Sequence, residues 1–359
     1  TPRRRRSGFC VGRAGFAKMR GLFASSPRVS ISQMKRDPLQ LVERMLAGDR
    51  LALARLITLV ENRAEAVPAI MRAVHSRSHR AYAVGITGPP GAGKSTVVDR
   101  LVAVLRAEGA AVGVIAVDPS SPFTGGAVLG DRIRMQAHAL DPGVFIRSMA
   151  TRGSLGGLAH ATRDVIRLLA AFGHAWVLIE TVGVGQTELD IMKLADTTVV
   201  VLVPESGDAV QTMKAGLMEA ADIFVVNKAD RTGAHGLVAE LKFAAHLHDA
   251  SPTTPKDVDW QIPVLATEAQ NNVGVAELLA EIRRHRAALE STGALEARRR
   301  ARRQQELSSL LVEEVTAAVQ RRIRAGDVAV LLEQVGAGEI DPYSAVQAIL
   351  RRPDPLTPS

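Results

Sequence analysis

Eight residues, Gly88-Pro89-Pro90-Gly91-Ala92-Gly93-Lys94-Ser95, constrain this chain more than any other stretch. They follow an apolar run at residues 82–87 and precede a helical pattern that puts Val97, Val98, Leu101, Val102 and Leu105 on one face. A strand, a tight glycine loop and a helix satisfy that order, with the loop at the carboxyl end of the strand. The spacing is that of the Walker A pattern. Its glycines let successive backbone N–H groups turn toward phosphate oxygens, and the helix N-terminus adds its positive end. The expected nucleotide contacts are therefore Gly88, Pro89, Pro90, Gly91, Ala92, Gly93, Lys94, Ser95 and Thr96, with Lys94 on the β/γ oxygens and Ser95 on Mg²⁺.

A second signature, Asn227-Lys228-Ala229-Asp230, ends the β-branched run that starts at Ile223. A carboxylate at Asp230 accepts from both the ring N1–H and the exocyclic amine of guanine, whereas adenine offers no matching donor pair. Hydrogen bonds to a charged group contribute about 1.5–3 kcal/mol each, so the expected ligand is GTP or GDP. Thr267-Glu268-Ala269, after the next apolar run, stands where an accessory base-contact loop belongs. Three carboxylates, Asp118, Asp131 and Glu180, fall at or after strand ends on the phosphate side; together with Ser95 they are the expected metal set and, with Lys94, the expected catalytic set. Glu180-Thr181-Val182-Gly183 offers the Gly183 N–H to the γ-phosphate. Val184 follows where a water-positioning Gln would stand, and Gln186 lies two positions further on. Intrinsic hydrolysis is therefore expected to be slow and completed by a partner.

Short β-branched runs at residues 82–87, 112–118, 176–181, 197–203, 223–227 and 262–266 alternate with helical patterns. Runs apolar on both faces and joined by crossover-length segments predict an α/β domain with a doubly wound, mostly parallel sheet. Four segments result: a basic, disordered tail at 1–36, a helical extension at 37–80 with a break and N-cap at Gly48-Asp49, the nucleotide domain at 81–285, and a helical segment at 286–359. In the last, Leu307, Leu310, Leu311 and Val315 form a stripe that needs something to pack on, and Arg298-Arg299-Arg300-Ala301-Arg302-Arg303 reads as a solvated helix face.

Charge excludes one class of partner. The net +8 is concentrated in residues 1–36, which hold ten Lys/Arg and no Asp/Glu, leaving the remainder at −2, so no nucleic-acid-binding core is expected. With the single cysteine Cys10, no intramolecular disulfide is available. No apolar run reaches the roughly 20 residues needed to span a bilayer. The expected location is the bacterial cytoplasm, or the mitochondrial matrix if the Arg-rich, acid-poor tail is a transit peptide.

Beyond the two nucleotide signatures, Val117-Asp118-Pro119-Ser120-Ser121, Thr124-Gly125-Gly126, Leu129-Gly130-Asp131-Arg132, Arg134-Met135 and Glu180-Thr181-Val182-Gly183-Val184-Gly185-Gln186 together resemble the MeaB/ArgK family of P-loop GTPases, whose mitochondrial member is the methylmalonic aciduria type A protein. The resemblance runs from near Pro38 to the C-terminal helices. It implies a GTP-driven chaperone that loads adenosylcobalamin onto methylmalonyl-CoA mutase, or a related acyl-CoA mutase, and protects it, acting as a homodimer through the C-terminal helices. It also implies a switch at Asp208, Gln211 and Lys214, although Pro204-Glu205-Ser206-Gly207-Asp208 stands where the family commonly has Pro-Gly-Ala-Gly-Asp. Two other classes compete. An ArgK-type kinase acting on a transport-related protein is disfavoured by the guanine loop. A metal-insertion GTPase would need a Cys/His cluster, and His246 and His248 lie on different faces of one helix.

Overall fold

The computed structural model describes residues 37–118, 136–138, 140–150, 157–181, 192–206, 221–249, 258–324 and 328–350. Its strands are β1 (Tyr82–Thr87), β2 (Val112–Asp118), β3 (Val144–Ala150), β4 (Trp176–Thr181), β5 (Thr197–Leu202), β6 (Ile223–Asn227) and β7 (Val264–Thr267). They form one seven-stranded sheet in the order β3-β2-β4-β1-β5-β6-β7, with every pairing parallel. The carboxyl ends of all seven therefore lie along one edge, with β1 at the centre.

The sheet is buried on both faces because β1 alternates. Tyr82, Val84 and Ile86 face a core shared with helices α4 (Lys94–Ala107) and α7 (Val275–Ser291), while Ala83 faces the opposite core. That opposite core is built by α1 (Pro38–Leu46), α2 (Arg50–Glu61), α3 (Val67–Val74) and α5 (Gly157–Phe172). A third cluster seats α6 (Ala234–Asp249) against Val200, Leu202, Phe224 and Val226. Leu101 and Ile86 are wholly buried, and each such side chain contributes about 1.5–3 kcal/mol relative to an exposed one.

The sequence reading missed β3. It lies at the sheet edge, and although Val144 and Phe145 reach the two opposite cores, Arg147 and Ser148 interrupt the apolar run that marks the central strands. Arg147 forms an ion pair with Glu61 of α2. Strand β7 begins two residues later than expected, after Pro263, whose carbonyl still accepts from Phe224 N at 2.9 Å but which has no N–H to donate. The break at Gly48-Asp49 is as expected: Asp49 caps α2, accepting from Leu51 N at 2.8 Å and Ala52 N at 3.0 Å. Next to it, Arg50 donates to the carbonyls of Asp141, Pro142 and Val144, tying the helical extension to the entry of β3.

Helix α7 continues through residues 285 and 286 and is followed by α8 (Ala294–Arg324), α9 (Ala329–Gly336) and α10 (Pro342–Leu350). The arginine run at the start of α8 is not the solvated face its composition suggested. Arg299 and Arg302 turn inward onto Asp196, just before β5, at 2.5 Å each. Arg302 also donates to the carbonyls of Leu194 and Ala195, and Arg299 to that of Ala81. The stripe of Leu307, Leu310 and Leu311 stands exposed. No helix among the described residues is long and apolar enough to cross a membrane.

Candidate nucleotide site

Strand β1 ends at Thr87, and the glycine loop that follows is shaped by two close approaches. Gly88 has φ +140°, and a Cβ there would lie 1.9 Å from the Val201 carbonyl oxygen; Gly93 has φ +86°, and its Cβ would lie 2.4 Å from Asn227 Nδ2. No side chain fits at either position. Gly93 opens directly into α4, whose first turn contains Lys94 and Ser95, both buried, and no acidic residue. The half-buried Thr96 follows. The Lys94 ammonium donates to the carbonyls of Gly88 at 2.8 Å and Pro89 at 2.9 Å, so it lies over the loop; Pro90 is exposed at the tip.

Beneath the loop, Ser95 Oγ donates to Glu180 Oε1 at 2.5 Å, bringing α4 and the end of β4 together. Beside it Thr181 Oγ1 donates to Thr87 Oγ1 at 3.0 Å. Sequence reasoning did not single out this threonine pair. Its one signal was that both residues end adjacent strand runs.

Asn227 joins the three nucleotide loops. Its Nδ2 donates to the Ala92 carbonyl at 2.9 Å, while its Oδ1 accepts from Thr267 Oγ1 and Ala269 N at 3.1 Å each. The side chain is buried and every polar atom is used. Lys228, held at φ +57°, reaches the Gly91 carbonyl at 2.8 Å. Ala229 N donates to Thr267 O at 3.0 Å, leaving Asp230 exposed at the rim. Glu268 is half-buried and accepts from Asn271 Nδ2 at 3.1 Å. The phosphate loop, the Asn227 loop and the Thr267 loop are thus one connected rim along the carboxyl edge, where ligands bind in sheets of this kind. An ammonium and a helix N-terminus at one end suit a polyphosphate, and a solvent-facing carboxylate at the other suits a base with paired N–H donors.

Of the remaining expected residues, Asp118 is the last residue of β2, and its side chain lies outside the described residues, as do Asp131, Gly183, Asp208, Gln211 and Lys214. The switch segment is described only at its start, where Glu205 accepts from Arg231 at 2.5 Å, next to Asp230.

A family model described as "Methylmalonyl Co-A mutase-associated GTPase MeaB" matches residues 53–324. The chain belongs to the MeaB family. Among relatives of this MeaB-family chain, a Pyrococcus abyssi protein named as a GTPase is 53% identical over 87% of this chain and 95% of its own. The Escherichia coli GTPase ArgK is 37% identical over 71% of this chain and 78% of its own. A Caenorhabditis elegans mitochondrial methylmalonic aciduria type A homolog is 31% identical over 87% of this chain and 82% of its own. The crystal structure of a protein described as LAO/AO transport system kinase superposes with a TM-score of 0.64 at 28% identity, covering 87% of this chain and 95% of that one. The fold is that of the P-loop GTPases, and the chain is a GTPase.

For this MeaB-family chain, Lys94→Ala is expected to lower GTP turnover by about 10²–10³-fold, the usual effect of removing one donor aimed at developing transition-state charge. Phosphate release under saturating GTP measures it. Turnover within twofold of the parent chain would contradict a phosphate-binding role for Lys94.

Proposed function

We propose that this GTPase couples GTP binding and hydrolysis to the loading of adenosylcobalamin onto methylmalonyl-CoA mutase, or a related acyl-CoA mutase, and to protection of that enzyme. The observation that carries the reading is the match of residues 53–324 to a family of mutase-associated GTPases. In this reading Lys94 and the loop N–H groups hold the β- and γ-phosphates, and Asp230 reads guanine. Asn227 keeps the base loop in register with the phosphate loop through the Ala92 carbonyl.

Ser95 and Glu180, with Oγ and Oε1 2.5 Å apart, are hard oxygen donors of the kind Mg²⁺ takes, so these residues fit the ion. Asp118 and Asp131 complete the proposed set. When bound, Mg²⁺ supplies charge neutralisation on the β/γ oxygens. Ser95 and Glu180 would hold that ion, and Gly183 would contribute an N–H to the γ-phosphate. Since Val184 replaces a water-positioning glutamine, the slow step is placement of the attacking water, which contact with the mutase supplies. Asp208, Gln211 and Lys214 carry the nucleotide state to that contact. The stripe of Leu307, Leu310 and Leu311 suits pairing of two copies into a homodimer. The location that follows is the bacterial cytoplasm, with the mitochondrial matrix as the alternative.

The test is GTP hydrolysis with and without an excess of purified adenosylcobalamin-dependent methylmalonyl-CoA mutase. Acceleration by the mutase, together with GTP-dependent appearance of adenosylcobalamin on the apo-mutase, is expected. An unchanged rate with no transfer would overturn the mutase coupling and leave the GTPase intact.

A further inference from the structure

At the opposite edge of the sheet from the nucleotide loops, where β1 and β5 begin, a cleft opens between α5, α8 and the segment that enters β1. Arg163 and Arg167 line it from α5, and Arg299, Arg302 and Arg303 from α8. Four of these five guanidiniums are matched by carboxylates. Arg299 and Arg302 share Asp196; Arg167 forms a two-point fork with Glu306 at 2.7 and 2.6 Å and also reaches Asp164; Arg303 bonds Glu296 at 2.5 Å.

Arg163 differs. It makes no hydrogen bond among the described residues, and its nearest acid, Glu306, is 3.7 Å away and already occupied by the Arg167 fork. Burial lowers its pKa despite the pull of Glu306. His79, in the same cleft, is also held below the ordinary histidine value, by burial first and then by the positive charges of His75, Arg303, Arg167 and Arg299. Both groups report a partly desolvated region with excess positive charge, in which the buried Nη1 of Arg163 has no hydrogen-bond acceptor among the described residues. The cleft measures about 110 Å³, ample for several waters or one small oxyanion. Guanidiniums on two helices facing one space match the several oxygens of a phosphate group.

We propose that this cleft is a second oxyanion site, separate from the nucleotide loops, which takes a phosphate group between Arg163 of α5 and Arg303 of α8. The bound group adds a further tie between α5 and α8, which the Arg167–Glu306 fork already joins. It is either free phosphate or the phosphate of a larger ester, and the two share the same recognition.

The test uses the full chain saturated with a non-hydrolysable GTP analogue and Mg²⁺, so that the β- and γ-phosphate positions of the glycine loop are already filled. Inorganic phosphate and, in a parallel arm, glycerol 3-phosphate are titrated at constant ionic strength, with heat of binding and melting temperature as readouts. Saturable binding with a rise in melting temperature is expected. Arg163→Gln should weaken it at least tenfold, Arg163→Lys should restore part, and affinity for the GTP analogue should be unchanged in both. Tighter binding of the ester identifies a larger ligand, and equal binding identifies the free anion. Arg303→Gln, at a more exposed position, provides the same comparison should the Arg163 variants not fold. Absence of saturable binding to the parent chain, or equal affinity in parent and variants, would overturn the proposal.

Discussion

An Asp230→Asn chain is expected to lose at least about one to two orders of magnitude of its preference for GTP over ATP, the worth of one hydrogen bond to a charged acceptor. The carboxylate sits exposed at the end of the loop that Asn227 and the Ala229 N–H hold against Thr267 and Ala269. Its two oxygens can accept from two guanine N–H donors, each worth about 1.5–3 kcal/mol to a charged acceptor. An amide keeps one acceptor and turns an N–H₂ toward the second donor, so one bond is lost and a donor–donor contact replaces it. The measurement is the ratio of kcat/KM for GTP to that for ATP in parent and variant. An unchanged ratio would show that guanine is read elsewhere.

Asp196→Ala is expected to cost about 3–5 kcal/mol of stability, the range for removing one partner of a buried ion pair. Asp196 is only 4% exposed and ties the entry of β5 to two elements, α8 through Arg299 and Arg302 and β1 through the Ala83 N–H at 3.1 Å. Its loss leaves two largely buried guanidiniums without their counter-charge. A urea midpoint, read at constant slope, measures the change, and a variant within 1 kcal/mol of the parent would contradict the anchoring role. The pH dependence has a definite sign. Burial alone would raise the Asp196 pKa, but the bond from Arg299 and the charges of Arg302 and Arg299 outweigh it and hold the carboxyl below its ordinary 3.8. A depressed folded-state value means that the contribution is fully present above the unfolded pKa and is lost as pH falls through the folded value. The stability gap between parent and variant should therefore be constant at neutral pH and close only below about pH 4.

Elements whose residues report a local requirement were legible in the sequence. The central strands β1, β2, β4 and β6 announce themselves because burial on both faces demands unbroken apolar runs, and Lys94 and Ser95 because only one backbone path leads from that strand through those glycines into a helix. The role of Asn227 was half visible. Its position at the end of β6 could be read, but its bonds to Ala92, 135 residues away, and to Ala269, 42 residues away, belong to tertiary structure. The arginine run on α8 was misread for the same reason: its partner Asp196 lies 103 residues from Arg299, and composition alone cannot distinguish an inward-facing guanidinium from a solvated one. The edge strand β3 was missed because its middle residues Ile146, Arg147 and Ser148 are only half-buried, which admits Arg147 and Ser148 and breaks the apolar pattern.

The most direct test of the central claim is a side-by-side measurement of GTP and ATP turnover by the parent chain with Mg²⁺, following both nucleotide and the terminal phosphate. The site described above predicts slow conversion of GTP to GDP with one free phosphate per turnover, and ATP at least a hundredfold less efficient on the strength of two charged hydrogen bonds to guanine. ATP used as well as GTP, with the terminal phosphate appearing on a protein or metabolite acceptor instead of in solution, would contradict it and identify a kinase.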